Sequence, residues 1–256
     1  MTDSRPKGKG MATTDFPPLG SGMRSGPRRQ EVVAGIKEYI LRNQLKPGDL
    51  LPTEAELCEA VGASRSSVRE AVKTLSALDI VEVRHGHGTY VGGMSLAALV
   101  ESLAFRGLLS GEADHHVLEQ VVEVRQTLEQ GLSAQITAGL DDDQLEALRG
   151  LASEMTEAAS RGEDFLELDR TFHLTLMQPL ANDLIEQLTG AFWEVQAIVA
   201  PSLGQSPPDL KETARLHVAI VDAAETRDTT AFQAAVAAHY APVRGLIQVA
   251  KAARAS

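Results

Sequence analysis

The sequence predicts a mainly α-helical protein, in which an N-terminal winged helix-turn-helix of three helices and a β-hairpin wing precedes an all-α antiparallel helical bundle. Two observations lead to this fold class. Hydrophobic residues make up 43% of the chain and aromatic residues only 4%, which leaves a core of Ala, Leu and Val that favours helices. The hydrophobic periodicity also changes once, from three short helical patterns and a hairpin before residue 93 to continuous helical patterns after it.

The chain begins with a segment that has almost nothing to bury. Residues 1–27 are rich in Gly, Pro, Ser and basic residues, so we expect a disordered tail. Periodicity starts at Gln30, and the first helix presents an apolar face formed by Val33, Ile36 and Ile40. The turn sequence Lys46-Pro47-Gly48-Asp49 follows the end of this helix.

Two more helices and a hairpin complete the first unit, predicted to span residues 28–93. Thr53 and Glu56 have the spacing of a capping box, and Gly62 ends the short second helix. Ser64 caps a third helix, whose inner face contains Val68, Ala71, Val72 and Leu75. Two β-branched segments, 80–83 and 89–91, then flank His85-Gly86-His87-Gly88, which is typical of a hairpin with a glycine-rich tip.

The second unit, predicted to span residues 94–256, contains helical patterns throughout and follows a predicted hinge at Gly92-Gly93. Ser95 caps a helix that extends to about Ser110. A long helix from Asp114 to Ala138 is predicted to bury Val117, Val121, Val124, Leu128 and Leu132. Five further helices are expected at about 142–161, 163–177, 182–200, 208–226 and 228–253.

Charge divides the chain in the same way. The formal net charge is −11, but residues 1–95 contain 13 Lys and Arg against 11 Asp and Glu, and residues 96–256 contain 11 against 24. The acidic part repels DNA, so contact with phosphates is expected from the first unit alone. The single cysteine, Cys58, excludes an internal disulfide and fits a reducing cytoplasm. No apolar stretch reaches membrane-spanning length, and residues 1–16 lack the apolar region of a secretory signal.

The third predicted helix has the composition of a DNA-recognition helix. Its first turns carry Arg65, Ser66, Ser67 and Arg69 on the side opposite the apolar face. Arginine donates two hydrogen bonds to guanine O6 and N7, and serine hydroxyls and helix N-terminal amides bind phosphates. Taken alone, the helix fits equally well an amphipathic surface helix with solvated arginines.

The order of the surrounding elements favours DNA binding, because residues 45–91 resemble the DNA-binding domain of the GntR superfamily of bacterial regulators. The PGD-LP-E-EL segment, the SR--VREA helix and the G-GT-V wing match in order and spacing. The resemblance implies that Ser64, Arg65, Ser66, Ser67 and Arg69 meet DNA, and that His85, Gly86 and His87 approach the minor groove or its phosphates. Many members have Arg where this chain has Ala55, so one operator contact is expected to be missing.

Three of the seven histidines are predicted to face the bundle interior. His217 and His239 lie on apolar helical stripes, and His173 shares a helix face with Leu166 and with Asp169, one turn earlier. Asp169 and His173, four residues apart, have the spacing of helix-borne metal ligands. Three His and one Asp suit Zn²⁺, Ni²⁺ or Mn²⁺ with coordination positions left free. Alternatively, each histidine is hydrogen-bonded singly in the core. His115 and His116 are expected to be solvated at a helix start.

The second unit also resembles a known domain, the FCD effector domain of the FadR-like GntR branch, through VRQTLEQGLSAQITA, then D---H and two further histidines. In metal-containing members these four positions bind the ion, and small organic acids occupy its open sites. Arg125 borders the buried stripe and needs an anionic partner, which is either an internal carboxylate or, as the resemblance implies, an effector carboxylate. Asn182 and Gln196 are candidates for the same cavity.

These inferences predict a metabolite-responsive transcription regulator that binds a palindromic double-stranded DNA operator as a homodimer. The resemblance implies a repressor, which is the more common role in the family. A small organic acid at the metal would gate DNA binding. Two alternatives remain at this stage. An open metal site also suits a metal-dependent hydrolase or lyase, although no base beyond the ligands is evident. A constitutive DNA-binding protein with a structural metal is the other alternative.

Overall fold

The computed structural model describes residues 27–109, 115–203 and 209–255. The predicted disordered tail lies outside these ranges, except for Pro27, where the first helix begins. The N-terminal unit consists of α1 (Pro27–Arg42), α2 (Glu54–Val61), α3 (Arg65–Ser76), β1 (Val81–Arg84) and β2 (Gly88–Val91). The winged helix-turn-helix predicted from the sequence is therefore confirmed. The buried stripe of α1 contains Val32, Ile36 and Ile40, with Val33 half-buried at its edge.

Local capping explains where α2 and α3 begin. The Thr53 hydroxyl accepts a hydrogen bond from the Glu56 amide, and the Glu56 carboxylate accepts one from the Thr53 amide, so the predicted capping box is present. Gly62 ends α2 in the left-handed region, with a φ of 63°. Ser64 caps α3 by accepting a hydrogen bond from the Ser67 amide. The apolar face of α3 is buried as predicted.

The wing is an antiparallel hairpin in which Val81 pairs with Val91 and Arg84 with Gly88. Its tip contains Gly86 and Gly88 at φ values of 78° and 114°, which residues with a Cβ rarely adopt. Leu50, in the connection from α1 to α2, bridges to Tyr90 and ties the wing to the helices.

The C-terminal unit is a bundle of eight helices within the described ranges: α4 (Ala97–Leu109), α5 (His116–Gly131), α6 (Ser133–Gly139), α7 (Asp142–Arg161), α8 (Leu166–Met177), α9 (Asp183–Val199), α10 (Leu210–Glu225) and α11 (Thr229–Ala255). Helix α10 packs between α7 and α11, and α5 packs against both α9 and α11. The mainly helical fold class is confirmed. None of the described helices is long and apolar enough to cross a membrane.

The long helix predicted from Asp114 to Ala138 is wrong in one respect, because a turn at Leu132 divides it into α5 and α6. The carbonyl of Gln130 accepts hydrogen bonds from the Ser133 hydroxyl at 2.8 Å and from the Gln233 amide at 3.2 Å. These side-chain donors compete with the helical hydrogen-bond ladder at this point, which accounts for the break.

Three burial predictions also need correction. Val124 is 40% exposed, because the buried face of α5 turns towards α9 and α11 through Leu118, Val122 and Arg125. Leu166 is 46% exposed, because it begins α8 and its turn lies at the edge of the packed region. His115 is buried, since it directly precedes the buried start of α5, whereas His116 is exposed as predicted.

The described buried hydrophobic residues form two separate clusters, one between Val32 and Val91 and one between Val100 and Ile247. The chain between them is held by what we call the Asp79 clamp, formed by Asp79, Met94 and Ser95. The Asp79 carbonyl accepts a hydrogen bond from the Met94 amide, and its carboxylate accepts one from the Ser95 amide, both at 2.9 Å. A Cβ at Gly92 would lie 2.2 Å from the Asp79 carbonyl oxygen, so glycine is required there. The predicted hinge at Gly92-Gly93 is thus anchored to the end of the first unit.

Candidate nucleic-acid interface and metal centre

The N-terminal turn of α3 presents a group of polar side chains to solvent. Arg65 and Ser66 are exposed, and Ser67 is half-buried. The Ser64 hydroxyl lies 3.0 Å from that of Ser66 and 2.9 Å from that of Ser67, so three hydroxyls cluster at the N-terminus of α3. Such a group suits phosphate binding. The sequence-predicted DNA residues of α3 therefore lie together on one surface.

The two arginines of α3 differ in their surroundings. The Nε of Arg69 donates to Oε2 of Glu54, the first residue of α2, at 2.8 Å. Arg65 enters no ion pair with any described residue. At the wing tip, His85, Gly86 and His87 are all exposed. Arg84, beside the tip, stacks 4.2 Å above the Tyr90 ring.

The four predicted metal ligands converge inside the bundle. Asp169 and His173 project from α8, His217 from α10 and His239 from α11, and one donor atom from each lies within 4.8 Å of the others. The Nε2 of His173 lies 3.2 Å from Oδ1 of Asp169 and 3.2 Å from Nε2 of His239. The Nε2 of His217 lies 3.4 Å from the same Asp169 oxygen. The sequence periodicity predicts that these side chains point into the bundle, and in the structure they lie together.

The protonation state of His217 suits the binding of a cation. The Thr213 carbonyl can only accept, so Nδ1 of His217 carries the proton that it donates at 2.9 Å. In the neutral ring, Nε2 then points a lone pair at the Asp169 carboxylate. Both Nε2 of His217 and Oδ1 of Asp169 are buried without a hydrogen-bond partner among the described residues. Both atoms would be satisfied if His217 and Asp169 held a divalent ion. Atoms that bind one ion at about 2.0–2.1 Å lie roughly 3.0–3.4 Å apart. The separations of 3.2 to 3.4 Å given above fall in this range.

A second layer of buried polar groups supports the cluster. Oε1 of Glu129 lies 2.8 Å from Nδ1 of His173 and accepts a hydrogen bond from the Tyr240 hydroxyl at 2.7 Å. Both Glu129 and Tyr240 are buried. Metal-bound histidines commonly direct their other ring nitrogen at a carboxylate in this way. Glu129 therefore turns Nε2 of His173 towards the cluster.

The pKa values reflect this burial and charge. Burial alone would lower the pKa of His173, but the neighbouring charge of Glu129 and the contact with Asp169 raise it to about 9. Burial likewise opposes ionisation of Asp169, yet the contacts with His173 and His217 bring its pKa well below the ordinary value. Burial and the charges of His217 and His173 bring the pKa of His239 well below its ordinary value. The cluster thus holds an ionised carboxylate among rings that cannot all be protonated.

Arg125 lies inside the buried face of α5, one helical turn before Glu129. Its Nη1 donates to Oε1 of Gln196 on α9 at 2.5 Å, and its guanidinium lies 5.5 Å from the centroid of the Tyr240 ring. Its Nε is buried without a hydrogen-bond partner among the described residues. Two predicted effector residues, Arg125 and Gln196, are therefore in contact beside the second layer of the metal cluster.

Asn182, the third predicted effector residue, has a different position. It is exposed, and its Oδ1 accepts hydrogen bonds from the amides of Leu184 and Ile185 as the N-cap of α9. Its side-chain oxygen is thus occupied in helix capping. Conversely, sequence reasoning missed Glu129 and Tyr240. The available signals were the four-residue spacing of Glu129 from Arg125 and the position of Tyr240 next to His239.

Comparison with known proteins gives two family matches. Residues 28–91 match the bacterial regulatory proteins of the gntR family, and residues 120–242 match the FCD domain. A putative transcriptional regulatory protein, NedR of Micromonospora viridifaciens, is 57% identical over 40% of this chain and 75% of its own length. The galactonate operon transcriptional repressor of Escherichia coli K12 is 24% identical over 81% of this chain and 91% of its own length. The solved structure of a Streptococcus agalactiae GntR protein has a TM-score of 0.62 at 26% identity, over 85% of this chain and 99% of that chain.

Proposed function

Because this chain belongs to the GntR family of bacterial transcription regulators and carries an FCD domain, we propose that it is a metabolite-responsive repressor. It binds a palindromic operator as a homodimer in the cytoplasm, and a small organic acid near a divalent metal ion gates this binding. The families and relatives are regulators of transcription and not enzymes, which sets the hydrolase or lyase alternative aside. The repressor role is supported by the similarity to the galactonate operon repressor.

The observation that carries the proposal is the cluster of Asp169, His173, His217 and His239, with Arg125 close to its second layer. His173 and His217 are buried, and the other two ligands are half-buried. These four residues would hold the ion. A bound Zn²⁺, Ni²⁺ or Mn²⁺ supplies positive charge and free coordination positions for a carboxylate oxygen. Arg125 retains a buried Nε–H without a partner among the described residues, and it is suited to a second anionic oxygen of the ligand.

Gating requires only that the acid bind one arrangement of the dimer more tightly than another. Helix α5 contains both Arg125 and Glu129, and Glu129 contacts His173. An acid bound at Arg125 would therefore shift the helix that orients one of the proposed metal-binding histidines. A changed arrangement of the bundle then alters the spacing of the two recognition helices on DNA.

The test is operator binding by the metal-loaded protein in the presence of a panel of mono-, di- and hydroxycarboxylates. Release of DNA by one acid, lost in the Arg125→Ala variant, is the expected result. If no acid changes DNA affinity although the metal is bound, the ion is structural and the protein binds DNA constitutively.

The DNA-reading part has its own prediction. Replacing Arg65 or Arg69 by Ala is expected to cost about 1–3 kcal/mol of operator binding each, because each removes a paired contact to a base or phosphate. Fluorescence anisotropy with a labelled operator measures this loss, and Lys37→Ala, on the exposed side of α1, is the matched control. Full affinity in both variants would show that α3 is not the reading helix.

A further inference from the structure

An ion pair connects the first turn of α2 to the DNA-reading face of α3. Oε2 of Glu54 accepts from Nε of Arg69 at 2.8 Å, and the side chains are 44% and 62% exposed. The position of Glu54 is well determined, because the capping box of Thr53 and Glu56 begins α2 at this residue. Its carboxylate also lies at the positive end of the α2 dipole.

An ion pair this exposed contributes little to the stability of the fold, since water and salt screen it. Its consequence lies in the orientation of Arg69. A guanidinium has two donor edges, one that includes Nε and one formed by the terminal nitrogens. Glu54 occupies the Nε edge, and the terminal edge remains available. Reading guanine requires two parallel donors directed at O6 and N7, which the terminal edge provides.

We propose that Glu54 is a specificity-determining residue, which positions Arg69 for base reading. The proposal rests on the role of Arg69 in DNA binding put forward above. An arginine held by Glu54 loses less side-chain freedom when it contacts a base. Phosphate contacts need no such orientation, and the carboxylate disfavours the approach of a phosphate to the same guanidinium. Glu54 therefore favours operator over other DNA.

A carboxylate that merely repelled DNA would behave in the opposite way. Removing it would strengthen binding to the operator and to unrelated DNA alike, because both contain the same phosphates. The two roles are thus distinguished by the sign of the change in operator affinity.

The experiment uses the full-length dimer and two duplex probes. One is the operator recovered by selection from a random-sequence pool with wild-type protein, and the other is a scrambled duplex of equal length. Glu54→Ala is expected to weaken operator binding about three- to tenfold, the range that corresponds to freeing one long side chain. Affinity for the scrambled duplex stays unchanged or rises. Glu59→Ala is the matched control, because it removes the same charge from an exposed position of α2.

Two further variants separate the possible outcomes. In an Arg69→Ala background, Glu54→Ala is expected to have no additional effect. Glu54→Gln retains an acceptor for Nε and is expected to fall between wild type and Glu54→Ala. Thermal melting verifies that each variant is folded. If Glu54→Ala is unfolded, the same comparison of operator affinities is made with Glu54→Gln.

The positioning role is overturned if Glu54→Ala binds the operator at least as tightly as wild type, or if its effect persists without Arg69. If Arg69→Ala itself leaves operator affinity intact, the proposed role of Arg69 in DNA reading fails instead.

Discussion

Glu129 is the residue that connects the four candidate metal ligands to neighbouring buried polar groups. A single oxygen of this carboxylate contacts His173 of α8 and the Tyr240 hydroxyl of α11. A buried charge is costly unless it is paired, and here the pairing is shared by two helices. Burial raises the pKa of Glu129, but the charges of His173 and Arg125 outweigh this and lower it. The carboxylate thus remains ionised next to His173, a candidate metal ligand.

Replacing Glu129 by Gln is expected to weaken metal binding about 10- to 100-fold, because outer partners orient their ligands and increase ligand basicity. Competition between the protein and a calibrated chelator measures the affinity for Zn²⁺, Ni²⁺ and Mn²⁺. Glu123→Gln, on the exposed side of α5, is the control for the lost charge. An unchanged affinity in Glu129→Gln would mean that His173 is oriented by other groups.

The extent to which the site could be predicted from sequence follows from helix geometry. Periodicity places Asp169 and His173 on one face of α8 and directs His217 and His239 inwards, because each lies on an apolar stripe. Periodicity gives no information on the partner of a buried charge. Glu129 contacts Tyr240 from 111 residues away, and Arg69 contacts Glu54 from another helix, so only the packed structure reveals these pairs.

At the level of secondary-structure elements, the sequence predicts where helices begin better than where a long helix is interrupted. Capping depends on residues within one turn, so the starts of α2 and α3 follow from the local sequence. The division between α5 and α6 depends on Gln233, which lies 100 residues away from Ser133 in the sequence. A local pattern of apolar residues across Leu132 therefore predicts one helix where two form.

Helix α9 offers a test of the role of Asn182. Asn182→Ala is expected to destabilise the fold by about 1 kcal/mol, because two amides of the first turn lose their acceptor. Denaturant unfolding measures the change, and Asn182→Asp, which retains a capping oxygen, is expected to remain close to wild type. If Asn182→Ala keeps full stability but loses the response to a carboxylate, the residue binds the effector rather than capping α9.

The Asp79 clamp makes a prediction about pH. The hydrogen bonds from Ser95 lower the pKa of Asp79 below its ordinary value of 3.8. The folded pKa is therefore below the unfolded one, so the stabilisation is complete above 3.8 and is lost as the pH falls through the folded value. Asp79→Asn is expected to melt below wild type at pH 7, and the difference shrinks in acid. A difference that is constant with pH would show that the charge of Asp79 is not involved.

At the scale of the whole molecule, the chain folds into two units, each around its own hydrophobic core, and the two parts of the chain differ in net charge. Residues 1–95 contain 13 basic and 11 acidic residues, whereas the remainder contains 11 and 24, so the acidic excess that repels phosphates is confined to the part of the chain after residue 95. The four candidate metal ligands all lie on helices of the C-terminal bundle. The proposed metal site and the DNA-binding helices thus lie in separately packed parts of one chain.

Removing the metal is therefore expected to affect the two cores unequally. An ion at 100 times its dissociation constant stabilises the bundle by about 2.7 kcal/mol, which a chelator removes. Differential scanning calorimetry is expected to show a lower melting temperature for the bundle and no shift for the winged unit, and added metal restores the first value. His217→Ala is the control, since chelation leaves it unchanged. Identical melting of wild type with and without chelator would exclude a bound ion.

The Asp79 clamp also decides where this chain can be cut and rejoined in a synthetic biosensor. In a chimera, the residues before Gly92 would be replaced by the DNA-binding domain of another protein. Asp79 would then be lost, and the amides of Met94 and Ser95 would lose their acceptor. The grafted DNA-binding domain would then have no fixed orientation relative to the bundle. Binding of the effector would no longer change expression of the reporter gene. A splice after Ser95 transfers the joint intact, so modular exchange of input and output should use that boundary.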